Sequence, residues 1–187
     1  MTVLQAPINS IQRDRHRKES VMTKTTRVVL GLYVALAATA ALAQSDAQKS
    51  FDQLKSLSGS WEGKSSSGEA VAVSFRETSG GSAVLSEIHG HGPENMISMF
   101  NMDGPNRLLV THYCGAGNQP RMQAGTSPDG KTITFTYLDA TNLATPDAGH
   151  MTQLVIAMPD ANHHTEEWTF TDHDKQMKEF FDLHRKM

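Results

Sequence analysis

Cys114 is the only cysteine in the chain, and it stands two residues beyond His112 in the run Thr111-His112-Tyr113-Cys114-Gly115-Ala116-Gly117-Asn118-Gln119-Pro120-Arg121. A thiol and an imidazole can act as nucleophile and base when a third group orients the base. Two positions apart on a strand, they share a face with Cβ atoms about 7 Å apart, too far for a direct hydrogen bond unless the strand bends. Nothing after Cys114 reads as a nucleophile elbow or a helix N-terminus that would lower the thiol pKa. A lone free cysteine is most often a small buried hydrophobe. No catalytic residue is assigned, and whether the chain is an enzyme stays open, with the balance against it.

Metal binding is the second chemistry these residue types allow. His112, His150 and either His89 or His91 could supply imidazoles from separate strands and loops, with Cys114 completing a tetrahedron. The candidates are therefore His112, Cys114 and His150, although none has metal-motif spacing and all three also fit as polar lining. A third chemistry is plain recognition. Gly115 and Gly117 suit a turn, and the amides of Asn118 and Gln119 can serve turn backbone. Those amides, with Arg121, can equally offer directional donors at a pocket mouth. The expected ligand-binding set is His112, Asn118, Gln119, Arg121, Asn142 and His150, with His112 and Arg121 turned towards the pocket. In "EEWTF", Glu166 shares a face with Trp168; turned inward it would need Arg or His as partner, and Arg121 is a candidate. Met96, Met99, Met102, Met122, Met151 and Met158 suit either core filling or an adaptable binding surface.

These residues must be held by strands. Phe51, Leu54 and Leu57 recur at a spacing of three, which predicts a short helix ended by Gly59. Ten strands follow: 60–64, 70–77, 82–89, 96–102, 107–114, 120–126, 132–138, 151–158, 163–171 and 177–184. Alternation is clean at Val71, Val73 and Phe75 and at Ile133, Phe135 and Tyr137. A meander of ten short strands has two edges to hide, and closure removes them. The expected fold is all-β, an antiparallel up-and-down barrel of about ten strands with a short N-terminal capping helix. In such a barrel the turns alternate between ends. The helix falls with the tight turns "TSGG", "DGPN", "SPDG" and "PDAN". The longer segments "GHGPEN", "GAGNQ" and "DATNLATPDAGH" fall at the other end, which makes that end the candidate site. His89, His91, His112, His150 and His173 sort there, and His163, His164 and His184 to the helix end.

The N-terminal part stands apart from the barrel. Lys24 and Arg27 precede an apolar run from Val28 to Ala40 and the small-residue site Ala41-Leu42-Ala43. This is the pattern of a secretory signal over 22–43 with cleavage after Ala43. Residues 1–21 read as an extended N-region or a mis-start, 44–50 as a linker, and 51–187 as the barrel domain. The product is expected to be periplasmic or secreted, with no stable membrane anchor after cleavage. Of 17 Lys and Arg, six lie before Gln44, as do two of 20 Asp and Glu. That leaves 11 against 18, a net charge of −7, which argues against a nucleic-acid partner. One cysteine cannot form an internal disulfide, so the domain stands on its core. The oligomeric state cannot be read from the sequence.

Leu57-Ser58-Gly59-Ser60-Trp61-Glu62-Gly63 resembles the Gly-x-Trp opening of lipocalins and their calycin relatives. With "THYCGAGNQPRM", "DATNLATPDAGHM" and "EEWTF", the pattern is similar to that of secreted, lipocalin-like bacterial proteins of unassigned function. The resemblance implies a barrel from about Phe51 to the C-terminus, with Trp61 packed across its base. The opening also resembles that of nitrobindin-type haem barrels, but Ser65, Ser66 and Ser67 replace the glycines that follow there. No axial histidine is carried over, and His184 is the first residue to test. The leading expectation is an exported barrel binding a small, partly apolar molecule at its open end, with no cofactor assigned. A metal- or haem-binding barrel and a structural envelope protein with a filled barrel are the alternatives.

Overall fold

In the computed structural model of the protein, the described residues are 44–90, 95–127 and 130–187. The expected leader and His91 lie outside them. Ser45 opens α1 (Asp46–Ser56), its Oγ accepting from the Gln48 amide at 3.1 Å. Asp46 in the first turn and Lys55 in the last complement the helix dipole. The helix therefore begins earlier than the apolar spacing marks. Most of 44–50, expected as linker, belongs to α1, because the Ser45 cap and the Asp46–Lys49 pair (2.9 Å) add a polar first turn. Phe51, Leu54 and the C-cap Leu57 are buried.

Ten strands follow: β1 (Gly59–Ser65), β2 (Ala70–Thr78), β3 (Ala83–His89), β4 (Met96–Met102), β5 (Leu108–Tyr113), β6 (Gln119–Thr126), β7 (Thr132–Thr141), β8 (His150–Asp160), β9 (His163–Asp172) and β10 (Lys175–Arg185). Each pairs antiparallel with its sequence neighbour, and β1 pairs with β10 to close the barrel. Strand alternation places Val71, Val73 and Phe75 of β2 and Ile133 and Phe135 of β7 inside, all buried. Phe100 bridges them, with ring centroids 5.4 Å from Phe135 and 6.5 Å from Phe75. Burying each such side chain is worth about 1.5–3 kcal/mol.

Two irregularities re-aim side chains near one rim. Opposite β6, the register shifts between Arg121 and Met122 and leaves Leu138 as the extra residue of β7, so Tyr137 rather than Leu138 faces Met122. Opposite β9, the shift between Met151 and Gln153 leaves Thr152 as the extra residue of β8. Its hydroxyl meets that of Thr171 at 2.8 Å. Each bulge bends its strand and changes which residue points inward.

The helix end is closed by named contacts. Ser45 Oγ donates to the Pro105 carbonyl, Gln53 Nε2 donates to the Gly130 carbonyl, and Lys55 lies 3.9 Å from Glu77, so α1 and its cap are tied to two turns and to the end of β2. Trp61 is fully buried and donates from Nε1 to the Leu57 carbonyl at 2.8 Å. The Arg185 guanidinium lies 4.2 Å over its ring and donates to the carbonyls of Ser56, Ser58 and Ala161. Trp61 thus closes the barrel base, as the Gly-x-Trp opening implies. Gly63 has its own reason: a Cβ there would sit 1.7 Å from the Asp182 carbonyl oxygen, because β1 and β10 approach too closely for a side chain.

Candidate functional site

The other end of the barrel gathers the turns at 66–68, 114–118, 142–149 and 173–174. This is the rim expected from turn alternation. The loop between β7 and β8 shrinks from the expected 12 residues to Asn142–Gly149, because both strands extend into it.

At this rim lies a cavity lined by Ile88, Met96, His112, Met151, Trp168, Glu179 and Phe181. β5 alternation turns Leu108, Val110 and His112 inward, and His112 is fully buried. Its Nδ1 meets Ser98 Oγ at 2.9 Å, from the adjoining β4. Its ring lies 4.6 Å from that of Trp168. Its Nε2 has no hydrogen-bond partner among the described residues. Burial lowers the His112 pKa from 6.5 to about 4, so the imidazole is neutral at neutral pH. The Ser98 hydroxyl can either donate to Nδ1 or accept from it, so Nε2 can present a donor or an acceptor to the cavity.

Glu179 adds a carboxylate beside this apolar lining. Its Oε1 accepts from the Ser66 amide at 3.0 Å and the Ser66 hydroxyl at 2.6 Å. The enclosed part of the cavity gives a water centre about 20 Å³, room for about one water molecule. With its solvent-facing part the empty space is about 230 Å³.

A buried polar chain runs from His112 towards the helix end. Trp168 Nε1 donates to Glu166 Oε2 at 2.9 Å, and Glu166 Oε1 lies 3.3 Å from His164 Nε2. His164 in turn packs edge-on against Trp61, centroids 4.3 Å apart. Glu166 is inward, and its partner is His164 of its own strand, not Arg121. The reason is strand alternation, which sets 164, 166 and 168 on one face.

The expected site residues divide into four groups. His112 lines the cavity. Asn118 and Asn142 spend their donors joining the two rim loops, and Gln119 keeps its donor inside its own turn while its Oε1 accepts from Thr141 Oγ1 at 2.7 Å. Asn118 Nδ2 donates to the Gly149 carbonyl at 2.8 Å, Asn142 Nδ2 to the Gly117 carbonyl at 2.7 Å, and Gln119 Nε2 to the same oxygen at 3.2 Å. Asn142 has φ +58°, a left-handed conformation that Asn tolerates. His150 is buried, its Nδ1 2.6 Å from the Ala148 carbonyl and its ring 4.6 Å from Tyr137. Arg121 is on the outer wall: its Nε donates to Asp139 Oδ1 at 2.6 Å. The hydrogen bonds and charge of that pair raise the Arg121 pKa and lower that of Asp139. The inward orientation expected of Arg121 is corrected: inward positions of this strand pair fall to Pro120 and Met122, both buried.

His112, Cys114 and His150 are not assembled as a donor set. His112 uses Nδ1 on Ser98, and Cys114 Sγ accepts from the Ala116 amide at 3.5 Å within its own turn. Among the described residues, the group able to offer three metal-ligating atoms is His163, Asp182 and His184. His184 faces solvent on the outer wall at the helix end, so it cannot ligate a group held inside. Sequence reading missed Glu179 and this outer cluster. Glu179, Phe181 and Leu183 alternate onto the inner face of β10, and that pattern was the available signal.

No protein-family model matches the sequence, nor does any curated protein. The fold is similar to that in the crystal structure of Rv2717c from M. tuberculosis, with a TM-score of 0.55 and 15% identity, over 74% of this chain and 98% of that one. At that identity the likeness establishes a barrel fold and no particular lipocalin or calycin family; the chain is a ten-stranded antiparallel up-and-down barrel closed at one end by a helix.

Proposed function

We propose that the domain is an exported, lipocalin-like binding protein that takes a small, partly apolar ligand at the rim opposite the helix, with no reaction assigned to it. The observation that carries this reading is the buried His112 Nε2, which has no hydrogen-bond partner among the described residues and belongs to a cavity-lining side chain. Leaving a buried polar atom unmet costs about 1–3 kcal/mol, so a ligand hydroxyl or carbonyl at Nε2 would recover stability. Met96 and Met151 are the adaptable walls: unbranched thioethers can move aside for a guest larger than one water. The net charge of −7 for 44–187 supports a small-molecule rather than a nucleic-acid partner. Export rests on the leader pattern of 22–43.

The filled interior favours a second reading, a structural barrel that binds nothing. The space at the rim, about 230 Å³ with its solvent-facing part, falls short of the roughly 300 Å³ at which ligand pockets usually begin. Native mass spectrometry of protein taken from its own compartment separates the two. Ligand binding predicts a co-purified organic mass that disappears in His112→Ala and persists in Arg121→Ala. A bare polypeptide mass in every preparation would leave the structural barrel.

A further inference from the structure

The outer wall carries a constellation unrelated to the cavity. His163 of β9 and His184 of β10 are direct partners in the antiparallel register. Their rings stack with centroids 4.6 Å apart and planes inclined by 13°. Asp182 precedes His184 by two residues and so shares its face of β10. His163 Nε2 lies 2.7 Å from Asp182 Oδ1, and His184 Nε2 lies 3.8 Å from the same oxygen. One donor atom from each residue falls within 4.8 Å of the other two.

Two imidazole nitrogens converging on one carboxylate oxygen is an arrangement a proton serves poorly. A proton on His163 Nε2 satisfies one contact and leaves the His184 contact long. A metal ion can use all three donors at once, from two neutral imidazoles and one carboxylate. Nitrogen ligands sit about 2.0–2.1 Å from zinc, so two of them in a tetrahedron approach to within the spread seen here after small rotations of exposed side chains. His163 is 29% exposed in its side chain, Asp182 54% and His184 66%. Nothing in the core need move.

We propose that His163, Asp182 and His184 form a surface site for a divalent transition metal of borderline softness, such as zinc, nickel or copper. Two histidines and one carboxylate suit these ions better than magnesium or calcium, which prefer all-oxygen shells. Water completes the coordination. The surroundings set the strength. Glu62 lies opposite His184 on β1, but Lys186 engages it, and Lys64 lies opposite Asp182. The two ammonium groups oppose a cation, so the site is one that loads and unloads rather than one that builds the fold.

The test is titration of untagged full-length protein with cobalt(II), followed by visible absorption, with zinc as competitor. One equivalent should produce a saturable ligand-field band that zinc abolishes. His163→Ala and His184→Ala should each weaken cobalt more than the roughly tenfold that loss of even an outer-shell partner costs. Asp182→Asn should weaken it and change the band shape. Thermal unfolding without metal checks that each variant folds as the wild type does. Absence of any saturable band, or a band unchanged in the His163→Ala/His184→Ala double variant, would overturn the proposal.

Discussion

The two ends of this barrel solve the same problem in opposite ways. At the helix end Trp61 is gripped from two sides, its indole donating to Leu57 and Arg185 lying across it while serving three carbonyls. Gln53 Oε1 and His164 Nδ1 stay buried there without a hydrogen-bond partner among the described residues. At the far rim, the Asn118 and Asn142 amides knit two loops together, and a buried imidazole beneath them keeps one nitrogen unmet. Both ends leave buried polar atoms over. At the second end the unmet nitrogen belongs to a cavity-lining side chain, and a deficit placed there, where it is not repaid within the fold, is what a binding partner can repay. A closed end and a receptive end can thus be told apart by whether an unmet polar group borders space that a guest can enter, more surely than by loop length.

The contrast breaks most severely at its rigid end. Trp61→Ala should cost about 3–5 kcal/mol, the range for deleting a large core aromatic, read as a lowered urea midpoint; a cost under about 1 kcal/mol would show that the base is not held by this residue. Next comes the receptive end in acid. The folded state holds the His112 pKa near 4, whereas the unfolded chain titrates near 6.5. The unfolded state therefore binds the extra proton between those values, and stability falls as pH drops from 6.5 to 4, by roughly 3 kcal/mol. Denaturation at pH 7 and pH 4 should show this loss in the wild type, and a correspondingly smaller one in His112→Leu. Identical pH dependence in both would remove His112 from the account.

Smaller effects follow. Gly63→Ala must force β1 away from the Asp182 carbonyl and should cost about 1–3 kcal/mol, measured by the same midpoint; a neutral result would mean that the seam adapts without strain. Arg121→Ala should change neither thermal midpoint nor ligand retention, since its ion pair with Asp139 is solvent-exposed. Loss of a bound ligand in that variant would move the site from the interior to the outer wall.

Much of the fold was legible because period-two alternation and Gly, Pro, Asn and Asp turns are local signals. Ten strands and their division between two ends followed from them. Strand ends were less legible: His150 and Thr141 were assigned to a loop, since neither carries an apolar signal, yet both continue ladders. The helix start was missed for the same kind of reason, because caps and ion pairs leave no apolar trace. At the site, His112 was legible from alternation alone. Arg121 was misplaced because it was sorted by chain end, not by which face alternation gave it. The bulge at Thr152, which sets Met151 beside the cavity, depends on how two strands slide past each other. His163 and His184 were sorted to the correct end, but their pairing depends on the β9–β10 register, which fixes them opposite each other.

Nine of the ten ladders join strands that a short connection already holds together. The tenth, β1 with β10, brings Lys64 to Asp182 and Trp61 to Arg185 across almost the whole domain. Hairpins form in about 1–10 μs, whereas this seam must await the assembled meander and bear its loop-closure entropy. The expected order of assembly is a curling ribbon first and a cylinder last. Gly63→Ala should consequently speed unfolding while leaving the folding rate nearly unchanged, a φ-value close to zero. A slowed folding rate would put the seam in the nucleus instead. With a φ-value near zero, the glycine that permits close approach is the latch of a barrel that shuts only when the rest of it is built.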